Sequence, residues 1–327
     1  MSPAASGGRR PRVLVASGPV GQLSPRAGAV AMARGFAAQA DVAVAGLAQG
    51  GVALGQALSE PDGDLESLSN GWVATTAQLC AVGSGAEPVE DPLAVSSAAL
   101  GRLVAYALQR DVPGRVVIDL TGSCCSDAGE GLIAELATVR PQLAKVALTG
   151  VIEPGQQQDR LLGLRGIASR LGRRLGTPAE RMLAVDAAIE SFTGSVAPEL
   201  AHAEGAGAAG GLGFAVLALG GRLVTGAALC ADEVDLDRAL GRADLVVTGC
   251  DSFDFGSRGG GVVAELAARC ERFEVPLVVV SPVVGMSGRE MRTLGVESAH
   301  PVEGGATSQE ALTATALRLA QGWASRW

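Results

Sequence analysis

Short apolar runs alternate with helix-patterned segments along most of this 327-residue chain, and each run stops at a loop rich in Gly, Ser, Thr or Asp. Val13–Ala16, Val42–Leu47, Trp72–Cys80, Arg115–Leu120, Val146–Thr149, Ala243–Thr248 and Pro276–Ser281 read as strands. Helical spacing is expected over Arg26–Gln39, Pro92–Gln109, 159–174, 178–192, Leu212–Leu219, 260–272 and 308–325. Strand–helix alternation with uninterrupted apolar strands predicts an α/β fold with a largely parallel sheet. Ligands of such folds sit at the carboxyl ends of strands, so the loops after Ala16, Leu47, Leu120, Thr248 and Ser281 are the places to look. Residues 59–71 (SEPDGDLESLSNG) are polar and turn-rich, a linker or surface loop.

Composition narrows the function. Hydrophobic residues make up 48% and charged residues 18%, enough for a large core. The net charge of −8 argues against nucleic acid or an anionic membrane as partner, since both need a basic face. No apolar run is long enough to span a bilayer. The leader MSPAASGGRRPR carries Arg9-Arg10, but the apolar stretch behind it is broken by Gly18, Pro19 and Gly21, so a cytoplasmic protein is expected. Of 26 cationic residues only Lys145 is a lysine, and Val146 follows it, which excludes a Walker A loop. Six cysteines without a CxxC pair point to reduced, mostly buried thiols rather than zinc. Cys124-Cys125 reads as small buried residues, and His202 and His300 as isolated.

Three loops carry chemistry, each with a structural alternative. TGSCCSDAGEG at 121–131 follows a strand and opens a helix, and its backbone N–H groups could face an anion. There Asp127 holds Mg²⁺ or takes a hydroxyl proton, or else Ser126 or Asp127 caps the helix. TGCDSFD at 248–254 offers Asp251 and Asp254 as a metal or acid/base pair, or as capping residues. Arg258 grips phosphate or lies in solvent. GAGAAG at 205–210 matches GxGxxG with Asp232 about twenty residues on, but no strand-like run precedes it. The alternatives are a helix start with close backbone packing, or an anion site.

Together these loops resemble the bacterial type I glycerate kinase family. GAGAAGGLG at 205–213 and ADLVVTG at 243–249 are near-identical to family strings. TGSCCSDAGEG is similar to the family's GGSATNDGGAG, and 91–108 to its NPLxxxTxGxGELIxxAL. The resemblance implies two α/β domains, one flavodoxin-like (1–55 and 232–327) and one inserted and restriction-endonuclease-like (56–231). It implies ATP, Mg²⁺ and phosphorylation of glycerate or a similar small hydroxy acid, and it leaves a homo-oligomer open. Asp127 and Asp254 would be catalytic, with Asp254 and Asp251 toward metal. Gly122, Ser123, Gly129, Gly207, Gly210, Thr248 and Gly249 would line the pocket.

The chain departs from the family in its charges. The DSFKGSLS-type loop is SGPVGQLS at 17–24, so Ser17 stands for the acid and Val20 for the lysine. ADGGEGT is AQGGVAL at 48–54, and in TGCDSFD Cys250 replaces Glu. Asp251 could stand in for the lost Glu, and Arg173, Arg174 or Arg258 for the lysine. The alternative to a kinase is an inactive family member that binds a ligand or a protein.

Overall fold

A computed structural model describes residues 9–59, 67–68, 71–75, 91–110, 112 and 114–324. Most of the expected 59–71 linker, the end of the Trp72–Cys80 strand, Cys80 itself and the first eight residues of the leader lie outside them. In chain order the strands are β1 (Arg12–Ser17), β2 (Asp41–Gly46), β3 (Ser67–Leu68), β4 (Gly71–Thr75), β5 (Arg115–Asp119), β6 (Ala147–Ile152), β7 (Arg222–Thr225), β8 (Leu245–Gly249), β9 (Ser252–Asp254), β10 (Leu277–Ser281), β11 (Val283–Gly285) and β12 (Ser298–Pro301). The helices used below are α1 (Pro25–Phe36), α2 (Gly51–Leu58), α3 (Ala98–Arg110), α4 (Glu130–Leu136), α5 (Ile167–Leu175), α6 (Ala179–Val196), α7 (Leu212–Ala218), α8 (Gly226–Glu233), α9 (Leu236–Leu240), α10 (Gly260–Phe273) and α11 (Gln309–Trp323).

The chain forms two compact α/β units, residues 1–49 with 227–327 and residues 50–226. The first unit carries a parallel sheet in the order β12-β10-β8-β1-β2. Numbered within the unit, that is the doubly wound order 2-1-3-4-5, with its switch point between β1 and β8. Helices on both faces explain why β8 and β10 are buried along their whole length and read as plain apolar runs. Val13, Val15, Val247 and Val280 pack against Met32 and Phe36 of α1 and Leu312 and Leu319 of α11. Ser24 caps α1 by accepting from Ala27 N, and Pro25 takes the first turn, where its missing N–H costs nothing.

The second unit has the order β3-β4-β5-β6-β7, parallel from β4 to β7, with β3 antiparallel to β4. Leu100, Val104 and Leu108 of α3 meet Leu132 and Leu136 of α4 over Val116 and Ile118 of β5. A second cluster joins Leu161, Ile167, Ile189 and Phe214, with Phe192 edge-on to Phe214 at 6.1 Å.

Five strands, β3, β7, β9, β11 and β12, fall outside the expected runs. β7 is one exposed and three half-buried residues beside Gly220-Gly221, and β12 (SAHP) is a half-exposed edge strand ending in proline. Neither has the apolar run that marks a central strand. The helix expected over 159–174 begins only at Ile167, because Gly163 adopts φ +81° and the backbone folds into a turn through Gly166. No described helix is long and apolar enough to cross a membrane.

Candidate functional site

The switch point of the first unit is sewn shut by its own atoms. Ser17 ends β1 fully buried. Its hydroxyl donates to Gly18 O at 2.7 Å and accepts from Gly249 N at 3.2 Å. Gly18 N in turn donates to Gly249 O at 3.2 Å. Val20 is fully buried in the core over α1. Gly21 N donates to the Asp251 carboxylate. Asp254 closes the next turn: Oδ1 accepts from Gly256 N and Ser257 N, both at 2.8 Å, and Oδ2 from Ser252 Oγ at 2.6 Å. The Ser252 hydroxyl and the Ser257 N–H hold its carboxyl down at about 2. Thr248 is buried in β8, and its hydroxyl has no hydrogen-bond partner. Burial pushes the neighbouring Cys250 thiol up to about 11.

In the second unit, loop 121–131 hangs from two carboxylates, Asp119 and Asp127. Asp119 ends β5 with no exposure to solvent. It accepts from Thr121 N at 2.9 Å, Thr121 Oγ at 2.6 Å and Gly51 N at 2.5 Å. Gly51 has φ +65°, and a Cβ on Gly50 would lie 1.9 Å from Thr121 Oγ, so this glycine pair is what lets the backbone reach Asp119. Asp127 is engaged on both oxygens. Oδ1 accepts from Gly129 N at 3.0 Å, while Oδ2 accepts from Ser97 N at 2.7 Å, Ser97 Oγ at 2.9 Å and Gly131 N at 3.2 Å. It thus ties the start of α3 to the start of α4. Gly210, at φ +66°, presses on the same loop: a Cβ there would stand 1.7 Å from Cys125 O. Gly207 also packs on Arg160 O, which would lie 2.3 Å from a Cβ there. The segment 205–211 follows a 3-10 turn rather than a strand, so its glycines serve close packing.

The structure therefore gathers Gly122, Ser123, Asp127, Gly129 and Gly210 around one loop of the second unit. Thr248, Gly249, Asp251 and Asp254 gather at the switch point of the first. Beside Asp127 opens a cavity of about 460 Å³, with Ser96, Asp127, Glu130 and Arg181 as polar lining and Leu93 and Phe192 among its apolar walls. Arg181 pairs with Asp91 at 2.5 Å on its rim. Of the candidate replacement cations, Arg173 donates to Leu164 O and Ser169 O, and Arg258 is exposed at φ +49°. His300 is not isolated: its Nε2 lies 3.1 Å from Ser298 Oγ, two residues back on β12. Cys124 is exposed and Cys125 half-buried, contrary to the expectation of buried thiols there, because loop 121–131 lies outside the strand that carries it.

Asp119 and Ser97 escaped the sequence reading. A charged residue closing an otherwise apolar strand run (VVID) is the signal that marks Asp119. Burial raises its carboxyl above the ordinary value, Thr121 and Gly51 pull it down, and Glu153 adds to the rise. A raised folded value means stability falls as pH climbs from the unfolded value, about 3.9, through the folded one. Asp119→Asn is expected to remove that slope. It should also cost about 1–3 kcal/mol, because an amide N–H then meets Gly51 N–H. Urea denaturation of both proteins across that acid range checks this; equal slopes would refute the assignment.

Within either unit, among the described residues, no group of three or more His, Cys, Asp or Glu side chains converges to hold a metal. Asp127, Asp251 and Asp254 already accept from the protein's own donors. These donor sets do not fit a resident Mg²⁺.

Each of the two α/β units presents glycine turns and aspartates at the carboxyl ends of parallel strands, and the first has the doubly wound order whose ligands sit at those ends. The model of the family described as "Glycerate kinase family" matches residues 135–326. An uncharacterized protein of Mycobacterium bovis is 34% identical over 260 residues, covering 76% of this chain and 67% of that one. The glycerate kinase of Bacillus subtilis is 25% identical over 274 residues, covering 74% and 72%. A solved structure from Salmonella typhimurium LT2, assigned as glycerate kinase 2, shares the fold at TM-score 0.74 and 20% identity, over 97% of this chain and 99% of that one. The chain belongs to the glycerate kinase family.

Proposed function

We propose that this chain is a glycerate-kinase-family protein that binds a small hydroxy acid and does not transfer phosphate. The observation that carries the reading is the fate of the family's charged positions. The acid position is Ser17, buried and bonded to Gly249, and the lysine position is Val20, buried in the core. The aspartates that remain are spent on the protein's own N–H groups. Phosphoryl transfer depends on cations and donors aimed at the moving charge, and losing them costs several kcal/mol of transition-state stabilisation. The cavity beside Asp127 is where such a ligand would sit: Arg181, shared with Asp91, and the Ser96 hydroxyl line it within reach of a carboxylate, beside Leu93 and Phe192.

The second reading is the activity named for the relatives: ATP-dependent phosphorylation of glycerate or a similar hydroxy acid. The quarter identity to the Bacillus subtilis glycerate kinase over most of the chain favours it. Calorimetric titration with D- and L-glycerate, then with Mg-ATP, followed by a coupled ADP-release assay, separates the two. The first reading expects heat from a hydroxy acid and ADP release at least about a thousandfold below the ~1–100 s⁻¹ of kinases. Glycerate-dependent ADP release within that range would overturn it.

A further inference from the structure

We propose that the first unit carries a binding site for a phosphate monoester with a small apolar body, at the end of its sheet opposite the switch point. A cavity of about 440 Å³ opens there at the amino ends of β1 and β2, against α9, and Arg12, Arg238 and Arg242 line it. All three arginines are exposed, and none makes a side-chain hydrogen bond or ion pair among the described residues.

The backbone holds the three together. Beyond the end of α9 the turn runs on, Gly241 N donating to Asp237 O at 3.0 Å and Arg242 N to Ala239 O at 3.1 Å, so Arg238 and Arg242 stand four residues apart on one face. Two residues further, Asp244 locks this segment to β1: its N–H donates to Arg12 O and its carboxylate accepts from Arg12 N, both at 2.8 Å. Those bonds use only the backbone of Arg12. Val13 and Val15 pack into the core against α1 and α11, so Arg12 and Leu14 leave the sheet on the other face, with Asp41 and Ala43 in register beside them. Leu14, Ala43 and Ala239 give the cavity an apolar floor.

Charge selects the occupant. The chain as a whole is at −8, but the carboxylates around this cavity are taken. Arg9 holds Asp244 at 2.6 Å, Arg10 stands 3.7 Å from Asp41, and Arg269 and Arg272 hold Asp237. Of the lining carboxylates, that leaves Asp235 against three guanidiniums, a surplus of two positive charges. A phosphate monoester carries about −1.5 to −2 at neutral pH and three acceptor oxygens, which matches that surplus and gives each arginine a partner. A monocarboxylate brings one charge and leaves part of the surplus uncompensated. A nucleic acid would lay its further charges against an acidic chain. The floor covers the apolar body of the ester.

Calorimetric titration of the full chain with phenyl phosphate at neutral pH tests this. The expected result is one site per chain, at least about tenfold tighter than inorganic phosphate, which leaves the floor bare, and than benzoate, which brings a single charge. Arg238→Gln and Arg242→Gln should each weaken phenyl phosphate by about tenfold or more. Their side chains are exposed and bond to nothing described, so both variants should fold, and circular dichroism checks that. Arg181→Gln, in the cavity beside Asp127, should leave the phenyl phosphate affinity unchanged, which separates this site from the hydroxy-acid site. No binding of phenyl phosphate, binding no tighter than inorganic phosphate or benzoate, parental affinity in either folded arginine variant, or loss of binding in Arg181→Gln would overturn the proposal.

Discussion

Gly210→Ala should destabilise the second unit by about 2–5 kcal/mol. Two costs add. At φ +66° an alanine sits in the left-handed region, which costs roughly 1–2 kcal/mol for a residue with a Cβ. Its methyl would also lie 1.7 Å from Cys125 O, a backbone atom that cannot swing aside, and overpacking of that kind costs about 1–3 kcal/mol. Relief requires the 121–131 loop to move, which strains the Asp127 bonds to Gly129 and Gly131. Urea denaturation followed by far-UV circular dichroism should show the midpoint drop. Gly176→Ala is the control: it shares a positive φ of 68°, but nothing lies within 4 Å of its Cβ. Equal losses in the two variants would refute the packing argument and leave only the backbone one.

Arg269→Met is expected to cost about 2–3 kcal/mol in the first unit. Arg269 lies on α10, and its side chain is 9% exposed. It forks to Glu265 at 2.7 Å, Asp232 at 2.7 Å and Asp237 at 2.8 Å. It thereby ties α8 and α9 to α10, and the three carboxylates hold its guanidinium charged well above the ordinary value. Breaking a fully buried pair costs about 3–5 kcal/mol. Asp232 and Asp237 are 56% and 41% exposed, so water screens part of that. Arg269→Lys should recover less than half, because an ammonium cannot serve three directions in the plane of a guanidinium. A loss under about 0.5 kcal/mol for Arg269→Met would show the cluster to be ornamental.

The α/β class was legible in the sequence, because both-face burial turns a strand into an unbroken apolar run, as in LVVTG and LVVVS. The edges were not: β12 is polar on its open side, and SAHP looks like a loop. The site divides the same way. Loops 121–131 and 248–254 were found by their position after strands and by their glycines. What their aspartates do was hidden, since it depends on distant partners: Ser97 is 30 residues from Asp127, and Gly21 is 230 from Asp251. Asp119 was passed over for the same reason. Its partner Gly51 is 68 residues away, and only the fold brings the two together.

The carboxylate of Asp251 on Gly21 N–H has a further consequence for any phosphate that approaches that turn. A group fixed to the chain competes at the effective concentration of an intramolecular rival, millimolar or higher. A free anion must evict it before gaining a single bond. Weak retention of nucleotides at that turn would then reflect a donor already engaged by the chain itself.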